Sequence, residues 1–191
     1  MISDACLARF MTQGVACTSC CDTHNGIFDI AYPAPSPWQG IREAEKNSAL
    51  PDALQNGRDI LTEDFCLMGE HRFVRCILLL PLQGSDLDCG FGVWGTLSPA
   101  NFDAYVDAFD SRDSGGLGSA FSWLSNHLPG AKAVPAKALI RFQSGSTRPH
   151  LQITDIEHPF FAAQTEGLSF DRLLEIYAQS GHDFRAAYAH G

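Results

Sequence analysis

Two cysteines and a histidine lie close together near the start of the chain. Cys17, Cys20 and His24 form the pattern Cys-x-x-Cys-x-x-x-His. Zinc prefers four nitrogen or sulfur ligands in a tetrahedron, and a Cys-x-x-Cys turn supplies two of them with little strain. The spacing therefore predicts a structural zinc site in segment 17–26. A second Cys-x-x-Cys pair is absent, so a fourth ligand has to come from elsewhere. The alternative is that these cysteines are reduced thiols that pack as small apolar groups.

The charge balance excludes two classes of partner. The 191 residues carry a net charge of −9 and contain no basic run. Proteins that bind nucleic acids or anionic membrane surfaces rely on clustered Lys and Arg, so neither partner is expected. A basic protein partner is compatible with this charge, because opposite fields steer association.

Length and apolar distribution indicate one domain in a reducing compartment. We expect residues 1–191 to form a single domain, since a chain of this size buries roughly 70% of its unfolded surface. No apolar run approaches the roughly 20 residues of a membrane helix, and the N-terminus lacks the pattern of a secretory signal. We therefore expect a cytoplasmic protein whose seven cysteines are thiols or metal ligands rather than disulfides.

Strand patterns dominate the middle of the chain. Residues 72–82 form a nearly continuous apolar run, and residues 89–97 are also largely apolar, which is typical of central strands. Ser98 and Pro99 predict a helix start, with a hydroxyl cap before proline at the first helical position. A further helix is predicted over 41–48. Strands grouped together and flanked by helices indicate an α+β fold with a mostly antiparallel central sheet and an N-terminal zinc-knuckle-like element.

A set of short motifs, in order along the chain, resembles the bacterial DUF2199 family. The motifs are Cys17-x-x-Cys20-x-x-x-His24, Leu61-x-x-Asp64-x-Cys66, Phe73-Val74-Arg75, Gly92-Val93-Trp94-x-x-Leu97-Ser98, Asn101-Phe102, Arg148-Pro149, His158-Pro159, Gln164, Gly167 and His182. The family is a domain of unknown function, so the resemblance supports a single domain and implies no reaction. It also implies Cys66 as the fourth metal ligand. The chain departs from the family pattern at Cys21, Cys76 and Leu79, where the family has two glycines and an acidic residue.

A second group of residues is a candidate ligand pocket. An arginine can hold a carboxylate or phosphate with two hydrogen bonds, a histidine can act as acid or base near neutral pH, and a tryptophan can form an apolar wall. The alternative is that the tryptophan belongs to the core and that the polar side chains satisfy backbone groups at turns. The residues are Arg75, Trp94, Arg148, His158 and Gln164.

Two functions follow from these patterns. The first is a non-enzymatic protein-binding module held together by zinc, because no nucleophile elbow, P-loop or dinucleotide motif is present. The second is a small metal-dependent enzyme that uses the Cys/His site or the Arg148/His158 pocket. Thiol redox catalysis is disfavoured, because no Lys or Arg lies between Met11 and Tyr32 to stabilise a thiolate. A closed set of four ligands favours the first function, and an open coordination position favours the second.

Overall fold

The computed structural model describes residues 4–131 and 135–188. The helices are α1 (Asp4–Gln13), α2 (Leu50–Asn56), α3 (Pro99–Phe109), α4 (Phe160–Glu166) and α5 (Phe170–Gln179). The strands are β1 (Val15–Ala16), β2 (Thr23–His24), β3 (Ile30–Ala31), β4 (Ile60–Leu61), β5 (Phe65–Met68), β6 (His71–Pro81), β7 (Asp88–Leu97), β8 (Ser119–Leu124), β9 (Ala136–Arg141) and β10 (His150–Ile153). None of the helices in the described ranges is both long enough and apolar enough to cross a membrane.

The main sheet is a closed, mixed barrel. Strands β6, β7, β8, β9 and β10 form a ring, because β6 pairs with β7 on one edge and with β10 on the other. Strand β3 extends the sheet from β7, and β5 and β4 extend it from β6. Within the described residues, the β3–β7 and β6–β10 pairings are parallel and the others are antiparallel. The α+β class and the mostly antiparallel sheet are confirmed, whereas the closure into a barrel was not predicted.

Strands β6 and β7 form the longest ladder of the barrel. Their register runs from Arg72 opposite Leu97 to Pro81 opposite Asp88. Alternate side chains of β6 pack into the barrel interior, and the others face outward. The two central strands therefore lie where their apolar content predicted, within one residue at each end.

Local sequence signals set some helix boundaries and miss others. The Ser98 side chain accepts a hydrogen bond from the Asn101 amide and caps α3 as predicted. The helix predicted over 41–48 is wrong: Glu45 forms an isolated bridge with Thr62, and α2 begins later, at Leu50. The reason is that proline in the first turn of α2 and the burial of its apolar face fix the helix start further along the chain.

Helices α1 and α5 pack beside the barrel. They position the cysteine segment, which precedes the barrel strands in the chain. The Phe10 ring of α1 contacts both Tyr177 of α5 and Phe184, which follows α5. All three rings are fully buried. This aromatic cluster brings the beginning and the end of the described chain together.

Candidate metal centre

Strands β1 and β2 form a small hairpin that folds the cysteine motif into a tight turn. Val15 lies opposite His24 in this hairpin. The turn between them is closed by a 2.8 Å hydrogen bond from the Cys17 amide to the Asp22 carbonyl. Cys21 adopts a left-handed conformation with φ of 64°, which reverses the chain so that Cys17, Cys20 and His24 share one side.

Four potential ligand atoms converge at this turn. The side chains of Cys17, Cys20, His24 and His182 each offer one donor atom, and these atoms all lie within 4.8 Å of one another. The Cys20 Sγ atom is 3.2 Å from His24 Nε2 and 3.8 Å from His182 Nδ1. A tetrahedral zinc ion with bonds of about 2.0–2.3 Å separates its donor atoms by about 3.3–3.8 Å. The four side chains could therefore hold a metal ion.

His182 reaches the site because the chain turns sharply after α5. Gly181 has φ of 92°, in the region that favours glycine. The His182 amide donates to the Tyr177 carbonyl at 2.8 Å. The next residue is also tied to the cysteine turn, because the Asp183 carbonyl accepts hydrogen bonds from the Thr18 amide and hydroxyl. Sequence analysis included His182 in the family resemblance but did not identify it as a ligand.

Backbone amides favour a thiolate at Cys17. The Ser19 and Cys20 amides point at the Cys17 Sγ atom, at 3.4 and 3.5 Å. Burial raises the pKa of the Cys17 thiol, but these amides outweigh it, so the net pKa is lowered. At Cys20 the Asp22 amide lowers the pKa, but desolvation and the neighbouring Cys17 outweigh it and leave the net pKa raised. Cys17 is therefore the first of the pair to ionise, and a metal held by both thiols displaces the proton of Cys20.

Aromatic rings fix the two histidines. The His24 ring lies 5.0 Å from Phe28 and 5.3 Å from Phe184, measured between ring centroids. The His182 ring lies 5.2 Å from Phe28 and 5.0 Å from His24. Phe28 is itself held by its backbone, since its amide donates to the Tyr177 hydroxyl and its carbonyl accepts from it. These ring contacts fix the orientation of both imidazoles.

Cys66 does not join the cluster, which corrects its choice as the fourth ligand. It lies on β5, where it pairs with Leu61 and Phe73 in a separate apolar group on the outer side of the barrel. The thiol is fully buried, and this burial raises its pKa to about 12. A thiol that stays protonated among apolar side chains is a poor metal ligand. The fourth member of the candidate group is His182, which the motif alone could not identify.

Hydrogen bonds to backbone groups occupy the side chains of Trp94, His158 and Gln164. Trp94 is fully buried, and its Nε1 donates to the Tyr32 carbonyl at 3.0 Å. His158 Nδ1 accepts a hydrogen bond from the Phe160 amide, and burial lowers the pKa of this histidine. The Gln164 side chain bonds to both the amide and the carbonyl of Ile153. Each of these contacts is one that a turn or a core residue makes.

The arginines of the predicted pocket lie together but away from His158. Arg148 Nε bonds to Asp64 Oδ1 at 2.6 Å. The Arg75 guanidinium lies 6.0 Å from the centroid of the Trp94 ring. Arg148 precedes β10 and His158 follows it, so the strand holds them at opposite ends. The five residues are therefore not brought to one pocket.

Comparisons with known proteins give one match. Among curated proteins and solved structures, none matches this chain significantly. A family model described as "Uncharacterized protein conserved in bacteria (DUF2199)" matches residues 16–168. The matched range contains Cys17, Cys20 and His24 and ends before His182. Because the match covers most of the chain, the protein belongs to the DUF2199 family.

Proposed function

We propose that this protein binds one zinc ion through Cys17, Cys20, His24 and His182, and that the ion is structural. The observation that carries the proposal is the convergence of two thiols and two imidazoles within 4.8 Å. A tetrahedral set of two sulfur and two nitrogen donors is typical of zinc. The oriented amides at Cys17 and the rings packed on both histidines supply the outer contacts that metal sites require.

The number of protein donors supports a structural role over a catalytic one. A catalytic zinc keeps three protein ligands and an open position for water or substrate. Here four protein donor atoms lie within 4.8 Å of one another, which is the number that a closed tetrahedral shell needs. An ion in this site would join the cysteine turn to the segment after α5, with Cys20 and His182 lying 162 residues apart. Its role would then be to close the fold around the aromatic cluster.

We further propose that the zinc-stabilised domain is a non-enzymatic binding module of the reducing cytoplasm, and that its partner is a basic protein. The net charge of −9 favours a partner of opposite sign. No disulfide joins any of the seven cysteines, all of which lie within the described residues, and this fits a reducing compartment. The outer face of β8 carries an exposed aromatic pair, Phe121 and Trp123, with ring centroids 5.4 Å apart. Exposed aromatic residues are enriched where proteins bind one another.

The zinc proposal is tested by metal analysis of two neighbouring variants. Cys20 and Cys21 are both exposed, but only Cys20 belongs to the donor set. We expect one zinc per chain in the wild-type protein and in Cys21→Ser, and much less in Cys20→Ser. X-ray absorption should show two sulfur and two nitrogen neighbours around the ion. Sub-stoichiometric metal in protein purified without chelator would contradict zinc binding, and an oxygen neighbour would favour the metal-dependent enzyme.

The partner proposal is tested by substitution on the β8 face. The double variant Phe121→Ser/Trp123→Ser should keep its zinc and lose capture of a basic partner at low salt. Leu79→Ser is the matched control, because Leu79 is an exposed apolar residue on β6. Equal capture by the double variant and the control would argue against this face.

A further inference from the structure

A pocket lies at the rim of the barrel, away from the candidate metal centre at the cysteine turn. It has a volume of about 450 Å³ and is lined by residues from β6, α3 and the loop before β10. Two hydrogen bonds fasten the loops around it: the Gly145 amide donates to the Arg112 carbonyl at 2.8 Å, and the Ser114 hydroxyl donates to the Gln143 carbonyl at 2.7 Å. A third bond, from the Ile77 amide to the Pro149 carbonyl, anchors the loop to β6. The pocket walls are therefore held in place without a ligand.

Positive charge exceeds negative charge in this pocket. Arg112 and Arg148 line it together with a single carboxylate, Asp64. Asp64 is already satisfied, because Arg148 Nε binds one of its oxygens and Asn47 Nδ2 donates to the other at 2.8 Å. Arg75 is close enough to interact with both Arg148 and Asp64. Asp64 thus interacts with two guanidinium groups, while the second arginine of the lining, Arg112, adds a further positive charge in a chain whose net charge is −9.

The arginines still have hydrogen-bond donors to offer. Among the residues that the structure describes, Arg148 bonds to Asp64 through its Nε and has no hydrogen bond from its two terminal amino groups. The Arg112 guanidinium makes no hydrogen bond or ion pair with the residues that the structure describes. The buried Nε of Arg75 also lacks a partner there. Arginine side chains that converge with free donors are typical of sites for carboxylates and phosphates.

Neutral donors complete the lining. The hydroxyl groups of Ser146 and Thr147 lie on the loop before Arg148, and Tyr105 also lines the pocket. Burial raises the pKa of Tyr105, so its hydroxyl stays protonated and can donate. A carboxylate has only two oxygens to receive this set of donors. A phosphate group has three or more, arranged around a tetrahedron.

We infer that this pocket binds the phosphate group of a small phosphorylated molecule. Arg112 and Arg148 hold the phosphate oxygens from two sides, with help from the hydroxyls of Ser146 and Thr147. Tyr105 and Phe109 provide an apolar wall for the rest of the ligand. The volume is within the range of small-molecule sites, roughly 300–1,000 Å³. The inference does not depend on zinc, because the two sites share no residue.

Calorimetric titration with inorganic phosphate, phenyl phosphate and acetate tests this inference. We expect saturable binding of phosphate, tighter binding of phenyl phosphate and weaker binding of acetate. Arg112→Gln should weaken phosphate binding about tenfold or more, as expected for the loss of a charged hydrogen bond. This variant removes no side-chain hydrogen bond or ion pair with the described residues, so its fold should be intact. Arg148→Gln should also weaken binding, but it breaks the Asp64 ion pair as well.

Arg42→Gln is the matched control. Arg42 is also an exposed arginine, and it does not line this pocket. We expect its phosphate affinity to equal that of the wild-type protein. An equal loss in Arg42→Gln and Arg112→Gln would overturn the inference, because binding would then reflect overall charge. No binding up to about 10 mM phosphate, or acetate binding as tight as phosphate, would overturn it as well.

Discussion

Replacing His182 with alanine tests whether a metal ion joins the two ends of the described chain. His182 is the donor that comes from beyond α5, whereas the other three come from one short turn. In His182→Ala, the turn can still hold an ion, but the ion no longer cross-links the chain. The variant therefore separates zinc binding from zinc-dependent stabilisation.

The size of the effect follows from chain entropy. Cys20 and His182 are 162 residues apart. In the loop-closure model, a cross-link over that distance stabilises the folded state by about 5 kcal/mol, because it restricts the unfolded chain. For a domain of this length, about 5 kcal/mol corresponds to a shift in Tm of about 10–20 °C. We expect zinc to stabilise the wild-type protein by that amount more than it stabilises His182→Ala.

The assay is urea unfolding of both proteins with saturating zinc and with excess chelator. Without zinc, the two proteins should differ only by the lost contacts of the His182 ring with Phe28, His24 and the Cys20 Sγ atom. The difference in free energy of unfolding between the two proteins with zinc, minus the same difference with chelator, is the coupling free energy between His182 and the metal. His71→Ala is a control, because His71 is an exposed histidine outside the donor set. If the difference in free energy of unfolding between wild type and His182→Ala is the same with zinc and with chelator, His182 does not bind the ion and the reasoning is wrong.

Three further predictions concern the stability and the domain organisation of the protein. Burial raises the pKa of Cys66 from 9.0 to about 12. Between these pH values the folded state holds a proton that the unfolded state releases, so the free energy of unfolding should fall as pH rises from about 9 to about 12. In urea titrations, Cys66→Ala should reduce the pH dependence of the free energy of unfolding by up to about 1.4 kcal/mol per pH unit. An unchanged pH dependence would contradict a raised pKa for Cys66. Trp94→Phe should cost about 2–4 kcal/mol of stability, because it leaves a gap in a fully buried site and removes the bond to the Tyr32 carbonyl; an unchanged Tm would argue against a structural role. Limited proteolysis should not yield two stable folded fragments, since we propose a single domain over residues 1–191.

The regular elements that sequence analysis predicted best are those with dense local signals. Strands β6 and β7 carry long apolar runs, and α3 carries its own cap at Ser98. Strand β8 was not predicted, although its residues alternate strictly between exposed and buried. Closure of the barrel had no local signal, because it depends on the parallel pairing of β10 with β6, where His150 lies opposite Ile77. Such a pairing depends on contacts between residues far apart in the chain.

The sequence by itself determined three members of the candidate metal-binding group and the acidic character of the chain. Cys17, Cys20 and His24 are close in sequence, so a tight turn is enough to bring them together, whatever the rest of the fold does. Only the tertiary structure decided the fourth member of that group, because α5 and the turn at Gly181 carry His182 across to the hairpin. The tertiary structure also separated Arg148 from His158 and placed Arg112 beside Arg148 instead. Residue types and spacing can specify a local ligand set, but distant side chains meet only where strand pairing and helix packing bring them together.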